Sequence, residues 1–171
     1  MKILACFLML MGSGAAQSDD PGGWGKARWG MLNVEVLDAF DGRAEWMKNT
    51  AAPRVGIPRL ELEGRPYRLV FVPDTEGRLA SVIIRPAEQV DSSFRPGTKE
   101  DPPEAYRELR AGLIAKYGRP TSDTAENRGT VYTAATWVFT TTTIELQMQA
   151  HPRFGFTFVQ LTYKRRAPSG L

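Results

Sequence analysis

In residues 140–149, TTTTIELQMQ, the apolar side chains of Ile144, Leu146 and Met148 alternate with Glu145, Gln147 and Gln149. Successive side chains of a strand point to opposite faces, so a period of two makes a strand with one dry face and one wet face. Such a strand belongs to an antiparallel sheet, and the rest of the chain must supply a cover for its dry side.

The strongest cover is DPPEAYRELRAGLIAKYGRP, residues 101–120. Tyr106, Leu109, Leu113 and Tyr117 recur at spacings of three and four, with Ile114 widening the stripe and Arg107, Glu108, Arg110 and Lys116 on the other side. Asp101 can cap the free amides of the first turn, Pro102 lacks the donor that would be unsatisfied there, and Glu104 follows at the third position. Gly118 and Pro120 supply the stop. The pattern predicts a helix over 102–117. A shorter helix is predicted over 34–40, with Asn33 as its cap, Val36, Leu37 and Phe40 on one side, and Asp41 and Gly42 closing it. At about two turns it must draw its stability from packing.

Strands are predicted in most of the remainder. RLELEG at 59–64, then 67–72 and 79–84 around the turn-rich PDTEG, read as a meander; after the long helix come 131–139, 143–149 and 154–163. The expected fold class is α+β: an antiparallel sheet with two helices packed on one face. Helix and three strands occur twice, so a duplicated α-β-β-β unit is expected, with halves 29–90 and 101–166. AFDGRA and KYGRPT end the two helices with an aromatic residue followed closely by Gly-Arg. Linkers at 49–55 and 88–100 are too short to demand separate domains, so a single domain is expected over 29–166, with a tail at 167–171.

The chain begins MKILACFLMLMGSGAAQSDD: one lysine, an apolar run from Ile3 to Met11, small residues, then acidic ones. This is the order of a secretory signal peptide, expected over 1–16 with cleavage after Ala16. The run falls short of the about 20 residues that cross a bilayer, and no integral membrane segment is expected in the mature chain. Leu4, Ala5 and Cys6 lack the preceding apolar segment that a lipoprotein signal needs. The single cysteine, Cys6, leaves with the leader, so the exported chain, periplasmic or extracellular, must be held by its core. A chain of this size can bury about two-thirds of its unfolded surface. Residues 17–28 are expected to form a flexible approach. With 22 basic and 19 acidic side chains, and only Lys164, Arg165 and Arg166 clustered, no nucleic-acid surface is expected; Arg165 and Arg166 read as a solvated tail.

GWGKARWGM, residues 23–31, sets Trp24 and Trp29 five residues apart. Trp29 lies where a residue outside a helix packs onto the element it enters, so it is expected in the core. Trp137 alternates with Val131, Ala135 and Phe139 and is expected there too. No periodic neighbour fixes Trp24, and Trp46 either closes the first helix or contributes to a groove.

Candidate chemistry is sparse. His151, the only histidine, sits in AHPRFG and reads as a hairpin-loop residue; no metal-ligand spacing accompanies it. Ser81, Ser92, Ser93 and Ser122 occupy no nucleophile elbow. Glu61 and Glu63 share a strand face, as any wet strand allows, Asp74 and Glu76 belong to a turn, and Asp19 and Asp20 follow the cleavage site. The glycines of PGGWG lack the strand and helix that would aim amides at phosphate. No catalytic, metal or cofactor residue is assigned.

The WGM leading into a short helix, the apolar hairpin with EGRL, the helix ending LIAKYGRP and the closing aromatic hairpin resemble small exported bacterial proteins of uncharacterised families. Their architecture is similar to the β-lactamase-inhibitor-protein and SmpA-like folds, in which short helices cover one face of an antiparallel sheet. The likeness spans most of 29–165. It implies a noncatalytic binding or envelope-assembly role and transfers no functional residue. The expected function is therefore a binding module for a protein, peptide or envelope component, using an open sheet face or an unpaired edge strand. The alternatives are a cell-wall glycan enzyme with two acidic residues in a concave cleft, and a structural subunit of a larger envelope assembly.

Overall fold

The alternation in residues 140–149 does place a strand in a large antiparallel sheet. In the computed structural model the described residues are 19–48, 53–62, 64–87, 103–127, 131–151 and 156–167. They form a two-stranded hairpin, β1 (Gly23–Trp24) and β2 (Ala27–Arg28), then α1 (Asn33–Ala39) and β3 (Glu45–Trp46). The meander β4 (Val55–Leu62), β5 (Arg65–Pro73) and β6 (Leu79–Pro86) follows. After it come α2 (Glu104–Tyr117), β7 (Ser122–Asn127), β8 (Val131–Val138), β9 (Thr142–His151) and β10 (Phe156–Arg165). The class is α+β.

The eight strands β3 to β10 make one sheet in the order β3-β4-β5-β6-β10-β9-β8-β7, every neighbour antiparallel. Each half starts at an outer edge and works inward, so β6 and β10 meet at the centre, with Ile84 opposite Leu161 and Val82 opposite Tyr163. The apolar phase of the strands forms one cluster: Tyr67, Leu69, Phe71, Val82, Ile84, Trp137, Ile144, Leu146 and Met148 are buried, as are Val36 and Phe40 at α1 and Tyr106, Leu109 and Leu113 of α2. Among the described residues no helix is long and apolar enough to cross a membrane.

Several expectations shift. The long helix starts at Glu104, because Pro103, at φ −47° and ψ 143°, is extended and stands as the cap; Asp101 and Pro102 lie outside the described residues. Its end is as expected: Gly118 turns to φ 78° and donates to the Ile114 carbonyl. The short helix is capped from within. Leu32, not Asn33, precedes it, and Glu35 reaches back to accept from the Leu32 amide at 2.7 Å. Val55, expected in a linker, opens β4 and is fully buried. Two strands of the large sheet had no sequence prediction. β3 is two residues long, and the fully polar or small β7, SDTAEN, runs along an edge where nothing imposes an apolar phase. Each half therefore has four strands rather than three.

The approach segment also has structure. Within 17–28, residues 23–28 form the β1–β2 hairpin, and Ala27 is fully buried. Gly23 is required there because a Cβ would strike the Ala27 carbonyl. Arg165 and Arg166, expected as a solvated tail, are instead fastened to the sheet end. Arg165 ends β10 and pairs with Asp74 at 2.8 Å, while Arg166 donates to the Phe139 carbonyl at 2.6 Å. Two cations beside turn carbonyls and a turn carboxylate gain partners there that solvent alone would not provide.

Candidate functional site

The phase of the same strands that carries their polar side chains lines up across the sheet, with Thr162 and Ala134 buried within it. Ile83 lies opposite Thr162, Thr162 opposite Glu145, and Glu145 opposite Thr136; one step along, Gln160 faces Gln147, which faces Ala134. This register brings polar side chains from β6, β10, β9 and β8 within reach of one another. Arg85 stacks its guanidinium 4.8 Å from the Phe158 ring centre and donates to Gln160 Oε1 at 2.8 Å. Gln160 in turn donates from Nε2 to Thr162 Oγ1 at 2.9 Å. Beside this chain, Glu145 pairs with Lys164 at 3.1 Å and accepts from the Tyr132 hydroxyl at 3.4 Å.

The electrostatics follow from these partners. Burial pushes the Glu145 carboxyl up, but hydrogen bonds from Gln147 and Lys164, the Lys164 charge and Tyr132 outweigh it, leaving it below its ordinary value. Partial burial and the neighbouring Glu145 charge raise the Tyr132 phenol. Glu145 is therefore an ionised acceptor at neutral pH with no proton to give to a leaving group. The face offers amides, one aromatic ring under a guanidinium, and charged groups fixed by neighbours. That set suits hydrogen-bonded recognition.

The opposite side of the sheet has a cleft of about 520 Å³. It is lined by Leu62, Ile84, Leu161 and Tyr163 of the sheet, the last three almost fully buried, by Leu109, Gly112, Leu113 and Lys116 of α2, and by Trp24, Gly25 and Arg28 of the amino-terminal hairpin. Asp19 and Asp20 stand at its rim. This bears on the glycan-enzyme alternative, which asks for two carboxylates of opposite tuning. Burial raises Asp20 somewhat, but the amides of Thr141 and Gly22 and the Thr142 hydroxyl bring it below its ordinary value, the reverse of a general acid.

The remaining sequence candidates fall apart in space. Glu61 pairs with Arg59 at 3.0 Å on the exposed side of β4, and Glu63 lies outside the described residues. Asp74 is a turn residue, accepting from the amides of Glu76 and Arg78 at 3.0 and 2.9 Å. His151 ends β9 opposite Phe156, so it belongs to a strand rather than to the loop. Ser122 opens β7 and Ser81 lies in β6, while Ser92 and Ser93 lie outside the described residues. Among the described residues no group of three histidine, cysteine or acidic side chains could hold a metal.

The tryptophans divide as their surroundings dictate. Trp137 is 2% exposed and donates to the Gly118 carbonyl at 2.9 Å. Trp29 packs against the core, half-buried, with Nε1 donating to Thr142 Oγ1 at 2.9 Å. Trp24 stacks on Phe40, ring centres 6.1 Å apart. Trp46 is 47% exposed in the edge strand β3.

The Arg85–Phe158–Gln160 chain went unrecognised in sequence, although FTFVQLTYKR shows Phe158, Gln160, Thr162 and Lys164 at the same period of two. The signal of the cleft is Gly112, a glycine in the middle of an otherwise strong helix. No family model matches the chain, and neither a curated protein nor a solved structure does so.

Proposed function

We propose that this protein is an exported, noncatalytic binding module that uses the wet face of its eight-stranded sheet to hold a protein, peptide or envelope component. In this reading both helices cover the dry face, and the two helix-plus-strand halves descend from a duplicated unit whose strands met at β6 and β10. The leader-like start and the resemblance to β-lactamase-inhibitor-protein and SmpA-like architectures favour export and a binding role. The observation that carries the reading is the group Phe158, Arg85 and Gln160, which runs across two central strands and is held in place by the buried Thr162 hydroxyl. Preorganised polar groups lose little freedom on binding, which makes them effective contact points.

The test is capture from envelope extract by the tagged protein and by an Arg85→Ala/Gln147→Ala variant. Both positions face away from the core, so the variant should melt within about 1 kcal/mol of the parent. A specific partner should be retained by the parent and lost by the variant. Equal retention would move the contact off this face.

A further inference from the structure

We propose that Arg68 and Arg85 together take the carboxylates of an acidic peptide segment on a partner protein. The inference rests on the sheet face being the contact surface and names the chemistry of what it contacts.

Arg68 lies directly opposite Arg85 across β5 and β6, and both are exposed. Residues so placed point to the same face with Cβ atoms about 4.5–5.5 Å apart, where like charges destabilise a sheet. Elsewhere the face avoids this conflict. Arg59 pairs with Glu61 at 3.0 Å and Lys164 with Glu145 at 3.1 Å. Arg85 spends its Nε on the Gln160 carbonyl oxygen, and among the described residues neither Arg68 nor Arg85 meets a carboxylate. The other carboxylates in this phase are Glu45, opposite Gly56 in β3, and Glu126, opposite Tyr132 in β7, both in the outermost strands. At about 4.8 Å per strand they stand roughly 10 Å or more from the two arginines, at or beyond the screening length in physiological salt. Two cations are thus left side by side, with the free acids of the face out at its edges.

What surrounds the pair selects the occupant. Guanidinium forks match carboxylates in bidentate bonds. On the next row Val70 lies opposite Ile83, both partly exposed, and on the other side the Phe158 ring lies under Arg85. Gln147, opposite Gln160, extends the row with a second amide. A bare anion would leave Val70 and Ile83 uncovered. An acidic peptide brings carboxylates to the arginines, aliphatic groups to Val70 and Ile83, and backbone groups to the amides.

The experiment follows the anisotropy of a fluorescein-labelled peptide, Gly-Glu-Glu-Leu-Glu-Glu-Gly, titrated with the purified full chain beside its glutamine and lysine counterparts. The glutamate peptide should bind saturably, about tenfold or more tighter than either counterpart, and should weaken as salt is raised. Arg68→Gln and Arg85→Gln should each weaken it about tenfold, the loss of one charge-assisted contact. Arg68→Gln should also melt roughly 1–2 °C above the parent in low salt, because one of two opposed like charges is gone. No saturable binding, equal binding of the glutamine peptide, or full binding by Arg68→Gln would each overturn the proposal. So would a melting temperature of Arg68→Gln below that of the parent, which would show that Arg68 serves the fold. Co-flotation with phosphatidylglycerol vesicles without peptide binding would overturn it in favour of a membrane surface. Should the acidic peptide fail while capture from envelope extract still depends on Arg85 and Gln147, the acidic partner is overturned and the sheet face keeps its role.

Discussion

Helix α2 buries Ala105, Tyr106, Leu109 and Leu113 along 14 residues, whereas α1 buries Val36 alone along 7. The sheet halves that follow them are nearly matched, four strands each. In the second half the buried helical side chains lie on one long element. That element is also fastened along its amino-terminal half, by Arg65 to Glu104 and Glu108 at 2.7 and 2.9 Å and by Arg110 to Asp123 at 3.0 Å. In the first half the buried side chains outside the sheet come from several short pieces. Phe40, just past α1, sits between Trp24 at 6.1 Å and Phe71 at 5.3 Å, and Trp29 reaches across to Thr142 of the other half. A helix too short to present a full stripe can thus be completed by aromatic side chains brought in from a preceding hairpin. In exchange, that half depends on chain segments with few contacts of their own.

The largest test of this contrast is Leu113→Asp. It places a charge in the buried stripe of α2, and the domain should lose its cooperative thermal transition altogether. A melt near that of the parent, followed by circular dichroism, would show that α2 is not the cover of its half. Phe40→Ala should come next, at about 3–5 kcal/mol by urea unfolding, since it removes the ring that joins hairpin to sheet. If the first half really is a composite, Trp24 fluorescence should become solvent-like in this variant while the core tryptophan Trp137 keeps its environment.

The smallest effect concerns the tether of the hairpin. Asp20 accepts from the Thr141 and Gly22 amides, and its folded value lies below the ordinary 3.8. A depressed carboxylate stabilises the fold above its unfolded value, and that contribution is lost as pH falls through the folded one. Asp20→Asn should therefore lower stability slightly at neutral pH, and the gap to the parent should close as both are titrated into acid. A constant gap would mean that the Asp20 charge contributes nothing to the tether.

The parts legible in sequence are those where burial imposes a period. Ile144, Leu146 and Met148 announced a dry face, and Leu109 with Leu113 announced the helix, because apolar side chains had to recur on one side. Where burial imposes nothing, the sequence is silent: β7 has six residues without one large apolar side chain, and only its pairing with β8 makes it a strand. The cap of α1 was misplaced because Asn33 is a good cap by type, yet Glu35 satisfies the Leu32 amide instead. On the wet face, each strand's polar phase was readable, but the neighbours of Arg85 depend on the β6–β10 pairing, which joins positions 75 residues apart for its bond to Gln160. The cleft depends likewise on three distant segments converging.

The position of β10 has a consequence for how the chain reaches this state. Of the described strands, β10 comes latest along the chain, and it lies in the middle of the sheet. Until residues 156–165 emerge, the meander ends in an open β6 edge bearing Val82 and Ile84, and the second meander has a matching gap at β9. Such half-sheets expose a templating edge, and closing them requires contacts between segments far apart along the polypeptide, which is intrinsically slow.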